Sequence, residues 1–419
     1  MSSELSLLRI WKTSKVSELS PPIQTDFDFD RVIDQIAGEI PGPHLIFFAG
    51  IHGNEPSGVW ALRNVLQRIR KEKIPIKGKV TALAGNLRAL QKGKRFEEND
   101  LNRLWTKKNI EALSNGKFQP ENEDEIELAE LFALIQEIIL NQSGPMYFFD
   151  LHTTSSQSIP FIPVNDSLIN RAFAQQYPLP LILGIEEYIE GPMLSYINEL
   201  GFVSFGFEGG QHTDPNSVKN HERFIQLSLA FAGSCDSKTM NVEESLKAWK
   251  KEYGSFQDFY EIFFRFEVEP ESEFKMNPGF KSFQEVTKGE KLAISGGKAV
   301  HSPKNTQIFM PLYQAQGRDG FFLIRKTPQL FLSLSAFLRK RKLDRLITWL
   351  PGVQWASPEK DAMRVDLRIA KFLAKPILHL FGYRAMQKSD HYMIIWNREW
   401  RSRFKDYQEE SWYQSDLPS

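Results

Sequence analysis

His44-Leu45-Ile46-Phe47-Phe48-Ala49-Gly50-Ile51-His52-Gly53-Asn54-Glu55 is the stretch on which the fold turns. Leu45 to Ala49 is an unbroken apolar run, the pattern of a strand buried on both faces. Glycines then flank a His, and a Glu follows three residues after it. A Gly-permitted tight turn can aim an imidazole nitrogen and a carboxylate at one point, and a borderline cation such as Zn²⁺ accepts both.

The same rhythm runs outward from this segment. Lys79 to Ala84, Met146 to Leu151, Pro178 to Leu183 and Phe202 to Glu208 read as further buried strands. Between them, Pro56 to Lys71 reads as a helix with Pro at its first turn and Val59, Leu62, Leu66 and Ile69 on one face. Asn122 to Leu140 reads as a second, with Glu123, Asp124 and Glu125 at the positive end of its dipole. Strands alternating with helices from His44 to Phe231 predict an α/β domain.

Two more strand ends carry chemistry. Asp150-Leu151-His152 brings a second His to the sheet edge where His52 lies, and open α/β sheets bind ligands at the carboxyl ends of their strands. Two His and one Glu leave a tetrahedral position free, the arrangement of a hydrolytic zinc rather than a structural one. Glu208, in Phe207-Glu208-Gly209-Gly210, ends the last strand of the domain, where a carboxylate has no packing reason to be; it is the candidate general base. Arg95 and the run Asp100-Leu101-Asn102-Arg103 offer guanidinium groups that can stabilise an oxyanion or fork onto a substrate carboxylate.

Composition narrows the alternatives. The 419 residues contain 52 Lys or Arg and 52 Asp or Glu, so the formal net charge is zero and nucleic acid is not the default ligand. With Cys235 as the single cysteine, neither an internal disulfide nor a zinc site built on several thiolates can form, and a metal must use His and carboxylate. No apolar run approaches the roughly 20 residues of a membrane span, and Met1 to Lys15 has no signal-peptide core, so a cytoplasmic protein without a membrane span is expected.

Four regions are expected: an N-terminal segment (1–43), a catalytic domain (44–250), a small β domain (251–330) and an extension (331–419). The β domain is read from Phe- and Val-rich runs over Phe256 to Arg325, broken by Asn277-Pro278-Gly279, Ser295-Gly296-Gly297 and Gly317-Arg318-Asp319-Gly320. The extension carries five of the nine Trp and a net charge of +6, with helical patterns at Leu330 to Leu350 and Ala362 to Phe381. Its five Trp are expected to pack it onto the body or another subunit. His212, His221 and His301 have no ligand-like spacing and are expected in surface or loop roles, and Tyr313 in core packing.

Taken together, the Gly-x-His-Gly-Asn-Glu turn, Arg95 followed five residues later by Asp-Leu-Asn-Arg, Asp-Leu-His and Glu-x-Gly resemble the succinylglutamate desuccinylase/aspartoacylase family of zinc amidohydrolases, relatives of the zinc carboxypeptidases. Order and spacing agree over roughly His44 to Gln211. Asn277-Pro278-Gly279-Phe280, Thr287-Lys288-Gly289-Glu290 and Met310-Pro311-Leu312-Tyr313 resemble that family's small C-terminal β domain. The resemblance implies a mixed sheet with flanking helices, and one zinc per chain on His52, Glu55 and His152. It also implies that Glu208 is the catalytic carboxylate, that Arg95 polarises the carbonyl, and that Asn102 and Arg103 hold the α-carboxylate of a small N-acyl amino acid. Asp150 would orient His152. The family's additional carboxylate-gripping Arg, shortly before the Glu, has no counterpart in Ser195 to Leu200. Alternatives are a carboxypeptidase or deacylase of a larger amide, or an inactive zinc-binding scaffold acting through its tail. Homo-oligomerisation is left open.

Overall fold

A computed structural model describes residues 30–254, 257–269, 271–370, 378–387, 389 and 391–415. The Met1 to Lys15 reading and the 371–377 part of the second extension helix lie outside them.

The decisive segment ends strand β2 (Ile40–Ala49), which lies inside the sheet. Parallel neighbours β3 (Lys77–Ala84) and β4 (Met146–Thr154) flank it. β1 (Val32–Ala37), from the N-terminal segment, pairs antiparallel with β3 and forms the edge. Successive β2 side chains enter opposite cores: Leu45, Phe47 and Ala49 pack on one face, Ile46 and Phe48 on the other. A strand covered on both sides has no solvent face to keep polar, so its sequence shows no alternation. Helix α1 (Ser57–Lys71) buries Val59, Leu62, Leu66 and Ile69 in the first core. Helix α2 (Glu123–Leu140) supplies Leu128, Leu131, Ile135 and Ile138 to the second, with Asn122 accepting from the Glu125 N–H at its start.

Beyond β4 the sheet continues through β5 (Ile162–Val164), β6 (Leu181–Leu183) and β7 (Val203–Gln211), which is parallel to β4. The strand expected over Pro178 to Leu183 occupies only its last three residues. Sheet order then runs on through β6 to β8 (Phe259–Glu267), so the β region continues the main sheet rather than standing beside it. Strands β9 (Phe274–Met276), β10 (Gln284–Val286), β11 (Lys291–Ser295), β12 (Lys298–His301), β13 (Thr306–Phe309) and β14 (Asp319–Lys326) complete this region. Of these, β14, β13 and β10 extend the eleven-stranded sheet, while β9, β11 and β12 form a small separate one.

The extension departs from a mostly helical reading. After α3 (Gln329–Lys340) come β15 (Val353–Trp355), β16 (Ala362–Asp366), β17 (Tyr383–Gln387) and β18 (Tyr392–Asn397), a four-stranded antiparallel sheet. Ala362 to Asp366 is thus strand where helix was expected. Met363 and Val365 face a core of their own, and the alternation they make is too short to stand out from a helical pattern. Trp412 is buried against Tyr147 in the main core, whereas Trp349 and Trp400 are 81% and 53% exposed. Among the described residues no helix is long and apolar enough to cross a membrane.

Candidate functional site

Strand register brings the candidate residues together. Ala49 lies opposite Leu151, so the turn that leaves β2 opens beside His152, and His152 lies opposite Glu208 across the β4–β7 pair. The turn is fixed by its glycines. Gly50 has φ +71°, and Gly53 lies so close to the Ala89 backbone that an added Cβ would come within 2.1 Å of it.

Glu55, 2% exposed, sits between the two imidazoles: its Oε1 lies 2.9 Å from His52 Nδ1 and its Oε2 3.1 Å from His152 Nδ1. The Thr153 N–H donates to Oε2 at 2.9 Å. One ligand atom from each of the three residues falls within 4.8 Å of the others. The far nitrogens are backed by carboxylates. Asp150 Oδ2 is 2.7 Å from His152 Nε2, and Asp100 Oδ1 is 3.1 Å from His52 Nε2. This leaves both Nδ1 atoms directed inward, and the resulting two-nitrogen, one-carboxylate donor set fits Zn²⁺ with a position to spare.

The charges follow from the packing. Burial alone would raise the Glu55 carboxyl, but His52 and His152 outweigh it and hold it well below the usual carboxylate range. Burial would lower His152; Asp150 and Glu55 prevail and raise it well above an ordinary imidazole. Asp100, buried beside His52, Arg95 and Arg103, is likewise held low against the pull of burial. Glu208 behaves oppositely. Burial, with the anions Glu55 and Asp150 nearby, pushes it up to about 8 despite His152, and its Oε2 has no partner among the described residues.

The cationic candidates line the same cleft. Arg95 reaches Asp100 at 3.2 Å, Glu55 at 3.3 Å and His52 Nε2 at 2.9 Å, and its Nε is buried without a partner among the described residues. Arg103 pairs with Asp319 of β14 at 2.7 Å, and Arg265 holds the other oxygen of that carboxylate at 2.6 Å. Asn102 uses its carbonyl oxygen to accept from the Met193 N–H at 3.0 Å.

Several contributors lay outside the sequence-based set. His212 lines the cleft, its Nδ1 2.7 Å from Thr153 Oγ1 and its Nε2 3.1 Å from Gln314 Oε1, and burial lowers its pKa. His221 is fully buried on the helix Asn216–Phe231, with its nitrogens 2.7 Å from the Ser217 carbonyl and 3.1 Å from that of His152. It packs on Gly209, where any Cβ would strike the ring. Of the three histidines expected in surface or loop roles, only His301 is exposed. Tyr313 is 38% exposed rather than in a core, and its hydroxyl donates to the Asn277 carbonyl at 2.7 Å; its neighbours Leu312 and Gln314 line the cleft.

The extension reaches the cleft wall as well. Arg398 Nη2 lies 2.8 Å from Glu186 and 2.7 Å from Glu187, in a helical turn (Ile185–Glu187) that lines the cleft, and Arg384 donates to the Glu186 carbonyl. The fully buried Arg339 of α3 pairs with Asp166 at 2.7 Å.

This geometry has relatives. Residues 41–232 match the model of the succinylglutamate desuccinylase/aspartoacylase catalytic domain. The succinylglutamate desuccinylase of Pseudomonas paraeruginosa is 31% identical over 112 residues, which is 27% of this chain and 31% of that protein. That of Pseudomonas putida is 33% identical over the same length and coverage. The chain thus spans about a third of the length of these curated relatives. Among solved structures, succinylglutamate desuccinylase from Vibrio cholerae superposes with a TM-score of 0.51 at 15% identity, over 72% of this chain and 93% of that one. Succinylglutamate desuccinylase/aspartoacylase from Rhodobacter sphaeroides gives 0.52 at 16% identity, over 70% and 88%. These likenesses concern the fold. By this sequence match, residues 41–232 belong to the succinylglutamate desuccinylase/aspartoacylase catalytic-domain family.

Proposed function

We propose that this protein is a zinc-dependent hydrolase that cleaves the amide bond of an N-acyl amino acid. The observation that carries the reading is the Glu55 carboxylate between two inward-facing Nδ1 atoms, with the buried, unpartnered Glu208 oxygen on the adjoining strand. His52, Glu55 and His152 would hold the ion. A zinc ion bound there supplies a Lewis acid that polarises the scissile carbonyl and makes water acidic near neutral pH.

The remaining work falls to the chain. Glu208 takes the proton of the attacking water and returns it to the departing nitrogen; burial, which raises its pKa, suits a carboxyl that must both accept and donate. Arg95, with an uncommitted Nε, stabilises the negative charge that develops on the carbonyl oxygen. Asn102 and Arg103 hold the substrate's α-carboxylate. Asp150 and Asp100 orient the two imidazoles.

A Glu208→Gln variant tests this. It is expected to bind zinc as the parent does and to lose amide hydrolysis by roughly a hundredfold or more, measured by mass spectrometry on N-acyl amino acids. Unchanged turnover would remove Glu208 from the mechanism.

A further inference from the structure

The cleft has a wall whose chemistry the reaction above does not use. Its position is fixed by Asn102 and Arg103. Met193 N–H donates to Asn102 Oδ1 at 3.0 Å, Trp105 N–H donates to the Gly191 carbonyl at 3.1 Å, and Gly191 packs so tightly on Arg103 that a Cβ there would come within 2.2 Å of the Arg103 carbonyl oxygen. The chain from Ile185 to Leu194 therefore runs beside the pair that holds the α-carboxylate. Whatever else an amino acid carries on its α-carbon must lie against it.

That wall is apolar. Ile185, Ile189, Pro192 and Leu194 line it, with Pro163 and Phe205 from the sheet. Asn198, on the same wall, has its amide engaged. Asn198 accepts from Asn170 at 2.6 Å and donates to the carbonyls of Leu194 and Ser204 at 2.8 and 3.4 Å. Glu186, 2% exposed, gives one oxygen to Arg398 and has no partner among the described residues for the other, so the charged side chain that lines this wall is negative.

No free cation compensates. Among the described residues that line the cleft, Arg95 and Arg103 are the only Arg or Lys. Arg95 is held among Asp100, Glu55 and His52, and Arg103, which pairs with Asp319, is the one assigned to the α-carboxylate. Arg398, from the extension, pairs with Glu186 and Glu187, and Arg384 donates to the Glu186 carbonyl; neither side chain lines the cleft. A substrate side-chain carboxylate would lose its water, find no counter-ion and face Glu186, whereas an aliphatic side chain would lose nothing and bury its surface. A cationic side chain fares little better, because Arg398 already answers Glu186.

We infer that this wall receives an uncharged aliphatic side chain, so that the substrates are N-acyl derivatives of apolar amino acids rather than of aspartate, glutamate or lysine. The inference rests on the hydrolase reading for the place of the α-carboxylate. The experiment is calorimetric binding of N-acetyl-leucine, N-acetylglutamate and N-acetyl-lysine to the zinc-loaded Glu208→Gln protein, paired with turnover of the same three compounds by the parent.

N-acetyl-leucine is expected to bind about tenfold or more tightly than either charged compound. Equal affinities, absent binding included, or the reverse order overturn the inference. Leucine-first binding with no turnover of any compound supports the pocket and sinks the hydrolase. An Ile189→Arg variant, which introduces the missing cation, is expected to move the preference toward N-acetylglutamate. If it binds N-acetyl-leucine and N-acetylglutamate with the parent's ratio, the wall does not contact the side chain and the inference fails.

Discussion

Asp100 Oδ1 lies 3.1 Å from His52 Nε2, on the side of the ring away from Glu55, and its other oxygen takes Arg95 at 3.2 Å. One carboxylate thus sets both a candidate metal ligand and the candidate oxyanion stabiliser. Asp100→Asn keeps the shape and removes the charge. It is expected to weaken zinc binding about 10- to 100-fold, the usual cost of losing a group that supports a ligating His. Competition with a chromophoric chelator measures this. Parent-like affinity would show that His52 needs no such support.

His44 makes a separate prediction about acid stability. It is 6% exposed in β2, its Nε2 is 2.9 Å from Thr81 Oγ1, and burial, aided by Lys79, lowers its pKa from 6.5 to about 4. The unfolded chain therefore binds this proton more readily than the folded one. The contribution to stability is intact above pH 6.5, falls as pH drops through that value, and levels off below about 4. The total is at most about 3 kcal/mol. His44→Gln cannot titrate, so urea midpoints taken between pH 7 and 4 should fall less steeply than the parent's by up to that amount. Parallel curves would remove His44 from the acid response.

These two residues mark what the sequence made legible. The β2 run, both named helices and the three candidate ligands could be read because each signal is local: a doubly buried strand loses its alternation, and a turn that aims two donors spells itself within four residues. Asp100 was visible as a letter but not as a partner, since its contact with His52 closes a loop of 48 residues. His221 looked like a surface residue for the same reason; its partner is the backbone of His152. In the extension, Arg339 belongs to the basic run Leu338-Arg339-Lys340-Arg341-Lys342, yet its side chain is fully buried on Asp166, a residue 173 positions away. The strands of the last sheet are three to six residues long and owe their form to one another, which no local pattern reports.

The extension should be inseparable from the body. Tyr407, fully buried, accepts from the Val203 N–H at 3.0 Å and donates to the Met146 carbonyl, which joins the starts of β7 and β4 from outside the sheet. Tyr407→Phe removes the hydroxyl and leaves both backbone groups buried without it. The expected loss is about 1–3 kcal/mol, read as a shift in urea midpoint. A shift near zero would mean that the two groups find other partners.

The last prediction concerns Arg398. Its side chain is 9% exposed and its pKa is raised, because Glu186, Glu187 and Asp166 together outweigh the cost of burying it. Arg398→Met leaves the Glu186 carboxylate, with a side chain 2% exposed, without its ion pair. Removing one partner of a buried pair costs about 3–5 kcal/mol, most of it the penalty on the charge left behind. Adding Glu186→Gln to Arg398→Met removes that charge, so the double variant should recover much of the loss. Recovery is what separates an electrostatic clamp from simple packing. If the double variant were no more stable than Arg398→Met, the guanidinium would be acting through the carbon surface it covers, and the turn that lines the cleft would not depend on its charge.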